Sequence, residues 1–220
     1  MDFAEARRRM VDGQVRPNRV TDPRILEAMR AVPRELFVPA PLRARALADE
    51  DIALGGGRVM LQPMTVARLI QLGLPRPGER VLVLASGTGY GAALIAHGGA
   101  EVVAVENEPA IAALGDEGIA ASGLRPGSLR RVAGDPAAGL PDGAPYDLIL
   151  VEGAVPAVPA ALPAQLAEGG RLVAIRRAPG EAGSAILGRR AAGSFSAVPQ
   201  FNAQTSLLPA FSPRPGFALV

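Results

Sequence analysis

The sequence contains no cysteine and no tryptophan, and only one histidine among 220 residues. The absence of cysteine excludes a disulfide scaffold and favours a cytoplasmic location. The single histidine, His97, lies at the end of a predicted helix, which favours a surface or capping role. With no other histidine in the chain, we expect no Ser/His/Asp catalytic set. Charged residues, glycine or proline interrupt every apolar run before it reaches the length of a membrane span. The N-terminal segment lacks the apolar stretch of a secretory signal. We therefore expect a cytoplasmic protein with no membrane partner.

Lysine is also absent, so all 23 basic residues are arginine, against 21 acidic residues. With 26 glycines and 21 prolines, this composition is typical of genomic base bias rather than of a selected binding surface. The net charge is only +2 and the arginines are scattered. The three consecutive arginines at 7–9 can bind an acidic partner or form the solvent-exposed face of a first helix. The charge pattern therefore predicts no nucleic-acid partner.

One stretch predicts a strand, a tight turn and a helix in succession. An apolar run at 81–85 leads into the glycine-rich segment 86–91, which is followed by the helix-forming residues 92–96. Glycines permit positive φ and close approach of a ligand, and the first helical amides are free to bind it. A second apolar run, 102–105, ends in Glu106, where a βαβ unit holds the hydroxyls of a ribose. The order of these features predicts a nucleoside-containing cofactor.

Strands and helices alternate from residue 78 onward, which predicts an α/β fold with a mostly parallel sheet covered on both faces. The predicted strands span 80–85, 101–106, 129–133, 146–152 and 170–176, and the predicted helices lie near 89–98, 109–122 and 159–168. After residue 176 the helices stop, and three short extended candidates follow at 184–190, 194–200 and 206–211. We therefore expect the sheet to finish in an antiparallel C-terminal hairpin.

The N-terminal part has helical spacing over 3–16, 25–32 and 63–72. We expect one domain over 1–220, in which 1–75 form a helical cap and a substrate loop and 76–220 form the cofactor-binding core. Three acids at 49–51 suggest a metal site, but no second acidic cluster completes it. Solvation or helix capping is the favoured interpretation, and we predict no metal.

Two further acids follow predicted strands, at the edge where open α/β sheets bind ligands. Asp135 can accept a hydrogen bond from an exocyclic amine such as that of adenine, or it can cap a turn. Glu152 lies at the same edge, and it can equally be an exposed loop acid. Both alternatives stay open for each residue.

At this point the residues resemble the protein-L-isoaspartate O-methyltransferases, a branch of the Rossmann-like class I methyltransferases. The similar N-terminal residues are Met10-Val11, Gln14-Val15, Val20, Asp22, Ile25-Leu26, Ala28-Met29, Val32-Pro33-Arg34 and Phe37-Val38-Pro39. The segment similar to the family's substrate loop comprises Asp49 and Gly55-Gly56-Gly57 through Gln62-Pro63. The later similar residues are Gly87-Thr88-Gly89-Tyr90, Glu106, Gly134-Asp135, Pro145-Tyr146-Asp147 and 166–173.

The resemblance implies a methyltransferase that uses S-adenosylmethionine, without a metal, to repair damaged proteins. The implied substrates are proteins or peptides with isoaspartyl residues, whose abnormal α-carboxylate is methylated so that the ester closes to a succinimide. The implied cofactor residues are Ala85, Ser86, Gly87, Gly89, Glu106, Asn107, Gly134 and Asp135. The position of the family's catalytic hydroxyl is Leu61, and Arg58, Thr65 or backbone amides of the loop can take over part of its role.

Two departures from the family pattern stand out. The family has a hydroxyl residue at the position two before Pro63, and here that position is Leu61. The family's first cofactor motif has an acid and a glycine where this chain has Val83 and Ala85. Leu61 cannot hydrogen-bond a substrate carboxylate, and Val83 removes a charge near the methionine end of the cofactor. A serine restored at position 61 is therefore predicted to raise methylation, provided that the loop keeps the family geometry.

Other functions stay open at this stage. Leu61 and Val83 favour a catalytically silent or regulatory binding protein with the same fold. A methyltransferase for a different carboxylate is a second possibility. A nicotinamide dehydrogenase is a third, because Gly87, Gly89 and Ala92 fit a dinucleotide fingerprint, although the helical N-terminus, Asp135 and the antiparallel ending argue against it.

Overall fold

A seven-stranded sheet organises the protein in the computed structural model, which describes residues 2–212. A separate two-stranded hairpin precedes it in the chain. The hairpin strands are β1 (Ile52–Gly55) and β2 (Arg58–Met60). The sheet strands are β3 (Arg80–Leu84), β4 (Glu101–Glu106), β5 (Leu129–Ala133), β6 (Tyr146–Val155), β7 (Leu166–Arg176), β8 (Ser184–Ala191) and β9 (Ser194–Asn202). Their spatial order is β5-β4-β3-β6-β7-β8-β9.

The first five strands of this order run parallel, and β8 and β9 pair antiparallel. This arrangement confirms the predicted fold class, including the antiparallel C-terminal hairpin. Parallel strands need a crossover connection, and the βαβ order around β3 and β4 provides it. At the centre of the sheet, Leu84 of β3 pairs with Val105 of β4 on one side and with Val151 of β6 on the other. The carboxyl ends of β4, β3 and β6 therefore meet at one edge.

Seven α-helices lie within the described residues. They are α1 (Phe3–Met10), α2 (Pro23–Ala31), α3 (Pro63–Gly73), α4 (Tyr90–His97), α5 (Pro109–Ala113), α6 (Asp116–Ala121) and α7 (Ala161–Ala164). The helix predicted over 25–32 begins two residues earlier, because the Asp22 side chain caps it by accepting a hydrogen bond from the amide of Arg24, with Pro23 in the first turn. None of the helices among residues 2–212 is both long and apolar enough to cross a membrane.

Alternating residues of the strands face two hydrophobic layers, because successive side chains of a strand point to opposite faces. Val81 and Val83 of β3 belong to a core cluster that also contains buried residues of the N-terminal helices and of α4. Leu82 and Leu84 face a second cluster, to which Leu162 of α7 contributes. The N-terminal helices therefore share one continuous core with the sheet.

Four predicted elements differ from the structure. The helix predicted over 3–16 changes to a π-helix at Val11–Val15. The helix predicted near 109–122 divides into α5 and α6, and the helix predicted near 159–168 shrinks to α7, where Pro163 removes a backbone donor. The strand predicted at 206–211 is wrong: this segment makes one isolated bridge and ends in a 3₁₀ turn, Pro209–Phe211.

Candidate active site at the carboxyl ends of the sheet

The turn after β3 has the backbone geometry that its glycines predicted. Ala85, Gly87 and Gly89 have φ of 51°, 57° and 87°. This left-handed region favours glycine, so Ala85 adopts it at some cost in strain. The amide of Ser86 donates to the carbonyl of Val105 at 3.1 Å, which ties the turn to the neighbouring strand. The turn therefore delivers the chain into α4 with its amides facing the edge of the sheet.

Glu106 ends β4 beside this turn and is only 4% exposed. Its carboxylate accepts hydrogen bonds from the backbone amides of Gly87 at 2.7 Å, Asn107 at 3.0 Å and Glu108 at 3.0 Å. The acid predicted to hold a ribose thus lies against the predicted cofactor turn.

Arg58 of β2 occupies the remaining hydrogen-bonding capacity of this carboxylate. Its Nη1 and Nη2 lie 2.7 Å and 2.9 Å from the two carboxylate oxygens of Glu106, in a bidentate pair. Its Nη2 also donates to the carbonyl of Ala85 at 2.8 Å, and the residue is 4% exposed. The hydroxyls of a ribose can therefore reach Glu106 only if the guanidinium of Arg58 moves aside.

The hairpin of β1 and β2 brings Arg58 into this position. Gly56 and Gly57 form its tip, with φ of 56° and 74°, and Ile52 pairs with Met60 across it. A narrow cleft separates the hairpin from the turn. The residues that line this cleft are Leu54, Val59, Met60, Ala85, Ser86, Gly87, Thr88 and Glu152. The hairpin therefore covers the predicted cofactor turn directly.

Asp51 holds the base of the hairpin. One of its carboxylate oxygens accepts the backbone amide of Gln62 at 2.8 Å, and the other accepts the hydroxyl of Thr205 at 2.6 Å. Within the described residues, no group of three or more His, Cys, Asp or Glu side chains is arranged to hold a metal. Asp51 of the acidic run 49–51 thus has a structural role in this fold.

None of the three predicted catalytic residues is among those that line the cleft. Leu61 is 1% exposed and packs in the core cluster of the N-terminal helices. Thr65 is buried in the first turn of α3, where its hydroxyl oxygen accepts the side-chain amide of Gln62 at 2.9 Å. Of the three positions, the structure brings only Arg58 together with the predicted cofactor residues.

The predicted cofactor residues beyond β4 and β5 are exposed. Asn107 contributes its backbone amide to Glu106, and the amide of Gly134 donates to the carbonyl of Glu106 at 3.1 Å. Asp135 follows at the end of β5, and its Oδ1 accepts the amide of Ala137 at 2.9 Å. This hydrogen bond supports the interpretation that Asp135 caps a turn. The contact between Asp135 and adenine stays a prediction.

Glu152 of β6 is a buried residue of the cleft, which excludes the interpretation as an exposed loop acid. It is 8% exposed, and its Oε2 has no hydrogen-bond partner among the described residues. A Cβ placed on Gly91 would lie 2.7 Å from that oxygen, so the carboxyl packs directly on the first turn of α4. Burial raises the pKa of Glu152 to about 8, although Arg58 and Arg34 oppose the shift.

Arg34 supports the cleft from the side of the N-terminal helices. Its fully buried guanidinium donates to the carbonyls of Ala46 at 2.7 Å and of Leu61 at 2.6 Å. It lies 4.7 Å from the ring centroid of Tyr90, in a cation–π contact. Burial lowers the pKa of Arg34 and raises that of Tyr90 to about 12. The side chain thus connects the end of the hairpin to the start of α4.

A cavity of about 600 Å³ lies elsewhere, around the end of α3 and the start of β7. Its arginines are Arg19, Arg68, Arg76, Arg171 and Arg189. Glycines with positive φ and strand-end acids, the features that predict a nucleoside site, belong to the narrow cleft instead. The narrow cleft is therefore the candidate active site, although the cavity around α3 and β7 is larger.

Comparison with known proteins bears on this site. Residues 6–183 match the model of the family described as "Protein-L-isoaspartate(D-aspartate) O-methyltransferase (PCMT)". A protein-L-isoaspartate O-methyltransferase of Methylorubrum populi is 45% identical over 168 residues, which are 76% of this chain and 78% of the relative.

Two solved structures are similar in fold. One is a protein-L-isoaspartate O-methyltransferase with a TM-score of 0.75 and 25% identity, over 90% of this chain and 64% of its own. The other, from Plasmodium falciparum, is described as a putative enzyme of this kind in complex with S-adenosyl-L-homocysteine. Its TM-score is 0.77 at 15% identity, over 90% of this chain and 95% of its own. The family match and the curated relative together show that this chain belongs to the protein-L-isoaspartate O-methyltransferase family.

Proposed function

We propose that this protein transfers the methyl group of S-adenosylmethionine to the α-carboxylate of isoaspartyl residues in damaged proteins. The observation that carries the proposal is the contact between Glu106 and the amide of Gly87 at the carboxyl edge of the sheet, in a chain of this family. An acid after the second strand, bonded to a glycine turn after the first, is the arrangement that holds a nucleoside. We include a cytoplasmic location in the proposal, on the absence of cysteine.

The residues of the cleft fit the cofactor in their chemistry. Glu106 offers a carboxylate to the ribose, and the turn at 85–89 offers backbone without large side chains. A Cβ on Gly87 would lie 3.7 Å from the Leu54 side chain and 3.9 Å from that of Arg58, so side chains of the hairpin cover this residue in the absence of a ligand. Arg58 is the group that the ribose has to displace from Glu106. Binding therefore requires a local movement of the hairpin or of the Arg58 side chain.

The bound cofactor would supply an activated methyl group on a sulfonium. The nucleophile is a carboxylate that is already ionised at neutral pH, so the protein needs no strong base. Its task is alignment of the two reacting groups and exclusion of water. The hairpin covers the turn, which suits the second task. Once released from Glu106, the guanidinium of Arg58 is a group that can bind the substrate carboxylate.

Methyl transfer to peptides tests the proposal. Purified protein is incubated with radiolabelled S-adenosylmethionine and a peptide that contains one isoaspartyl residue, and the base-labile ester is counted as methanol. The matched control is the same peptide with an ordinary aspartyl residue. We expect label in the isoaspartyl peptide only.

The alternative that the sequence left open is a silent or regulatory homologue with the same fold. A folded sample that binds S-adenosylhomocysteine but labels no isoaspartyl peptide would support this candidate. Label in a different carboxylate, such as that of a small acid, would instead identify a carboxyl methyltransferase with another substrate.

A further inference from the structure

We propose that Glu152 binds the ammonium group of the methionine part of the cofactor, as the counter-charge in a chain where Val83 offers none. The proposal rests on the proposed function, since it requires a cofactor across the strand ends. It concerns the opposite end of the site from Glu106.

The order of the strands places Glu152 at the appropriate end. Along the carboxyl edge, Asp135 follows β5, Glu106 ends β4, the glycine turn follows β3, and Glu152 belongs to β6. A ligand with its ribose on Glu106 that crosses the turn away from β5 extends towards β6. Because Val151 pairs with Leu84, Glu152 lies level with Ala85 in the turn. The part of the cofactor beyond the sulfur therefore arrives at this carboxyl group.

The carboxyl of Glu152 has bonding capacity to spare. Its Oε2 is buried without a partner in the described part of the chain, and an unpaired buried acceptor is costly. The charged side chains that face it are Arg34, Arg58 and Glu106, and the backbone of Gly91 lies beneath it. An ammonium group carries three donors and no acceptor, so it suits this orphaned oxygen.

Because Val83 stands where the family has an acid, the negative charge near the ammonium group has to come from another residue. Val83 is fully buried in the core, and its partner on β6 is Leu150. Glu152 lies two residues beyond Leu150, on the same face of the strand, because side chains alternate along a strand. The negative charge for the ammonium group thus comes from β6 rather than from β3.

Proton release follows from this contact. At pH 7 the burial of Glu152 keeps its carboxyl group mostly neutral, since its pKa is about 8. An ammonium ion beside the carboxyl favours the ionised form. The O–H bond of Glu152 then breaks, the carboxylate pairs with the ammonium, and the proton passes to the buffer.

Calorimetry measures this proton directly. S-Adenosylhomocysteine is titrated into the native protein at pH 7 in two buffers with different ionisation enthalpies. We expect the difference in binding enthalpy to correspond to nearly one proton released per ligand. 5′-Methylthioadenosine, which lacks the amino-acid part, is the comparison ligand, and we expect it to bind without proton release.

Substitution of Glu152 tests whether this residue is the source of the released proton. Glu152→Gln keeps the shape of the side chain and removes its charge. We expect it to weaken S-adenosylhomocysteine binding by about 10- to 100-fold, the range of a hydrogen bond to a charged group, and to abolish proton release. Its affinity for 5′-methylthioadenosine stays unchanged. Glu101→Gln, an exposed acid at the opposite end of β4, is the matched control and behaves as the native protein.

The outcomes separate this proposal from the proposed function. Native protein that binds both ligands but releases no proton with S-adenosylhomocysteine refutes the role of Glu152 and leaves the cofactor site in place. Equal S-adenosylhomocysteine affinity in Glu152→Gln and native protein refutes it in the same way. A folded native protein that binds neither ligand refutes the cofactor site, and this proposal with it.

Discussion

The guanidinium of Arg58 and the carboxylate of Glu106 form a buried bidentate ion pair across the predicted cofactor site, with N–O distances of 2.7 Å and 2.9 Å. The pair joins the hairpin to the end of β4. Buried pairs of this kind contribute little net stability, but the loss of one partner leaves the other charge uncompensated. Arg58 therefore neutralises Glu106 in the absence of a ligand, and in the proposed binding mode it competes with the ribose for the same oxygens.

Removal of the guanidinium tests both roles. We expect Arg58→Met to lower the free energy of unfolding of the ligand-free protein by about 3 kcal/mol, because Glu106 stays buried and keeps only its backbone donors. The affinity for S-adenosylhomocysteine rises, since the competitor is gone. Urea unfolding and calorimetry measure the two effects. Arg45→Met, which removes an exposed pair with Glu50, is the control and changes neither. A native-like affinity in Arg58→Met contradicts the competition.

The raised pKa of Glu152 predicts how stability depends on pH. In the unfolded chain this carboxyl ionises near pH 4.5, and in the folded protein only near pH 8. As the pH rises from 4.5 to about 8, ionisation of Glu152 stabilises only the unfolded state. The contribution of Glu152 to the free energy of unfolding therefore decreases over this range. We expect Glu152→Gln to gain stability relative to the native protein across pH 4.5–8. Urea unfolding at several pH values checks this. A constant difference between the two proteins refutes it.

The position of Leu61 changes the outcome expected from the sequence. The resemblance predicted that Leu61→Ser raises methylation, but this side chain packs in the core. We now expect the substitution to destabilise the protein by about 3 kcal/mol through a cavity and a buried hydroxyl, without a gain in rate. Leu61→Met, which conserves volume, costs less than about 1.5 kcal/mol. Unfolding curves and the isoaspartyl assay measure both. A faster Leu61→Ser enzyme would show that the loop moves when substrate binds.

The two interpretations of Asp135 are separable with a pair of ligands. If its carboxylate accepts the amine of adenine, we expect Asp135→Ala to weaken S-adenosylhomocysteine binding by about 1–3 kcal/mol. Binding of S-inosylhomocysteine, which lacks that amine, stays unchanged. Calorimetric titrations supply both affinities, and Asp142→Ala on a remote turn serves as control. Equal losses for the two ligands would assign Asp135 to the turn alone.

The sequence was sufficient to predict the local structure around the candidate site. The turn at 85–89 and the place of Glu106 at a strand end were predicted because apolar runs and glycines mark the end of a strand. The sheet topology followed from the same alternation. These features depend on residues that are neighbours in the chain, so their pattern is visible without a structure.

The contacts between distant segments were not predictable in this way. The segment that carries Arg58 has no periodicity that indicates where its side chain points. The burial of Glu152 depends on the packing of Gly91 beneath it, 61 positions earlier in the chain. An acid after an apolar strand looks the same in sequence whether it is solvated or enclosed. The position of Leu61 likewise depends on how the loop meets the N-terminal helices.

The contact between Asp51 and Thr205 also has a consequence for biosynthesis. The two residues lie 154 positions apart, yet they meet at the base of the hairpin. The strands that form the floor of the site are all complete by residue 155, before Thr205 leaves the ribosome. The nascent chain can therefore assemble this floor first, and the contact that secures the hairpin over it forms only after Thr205 has been translated.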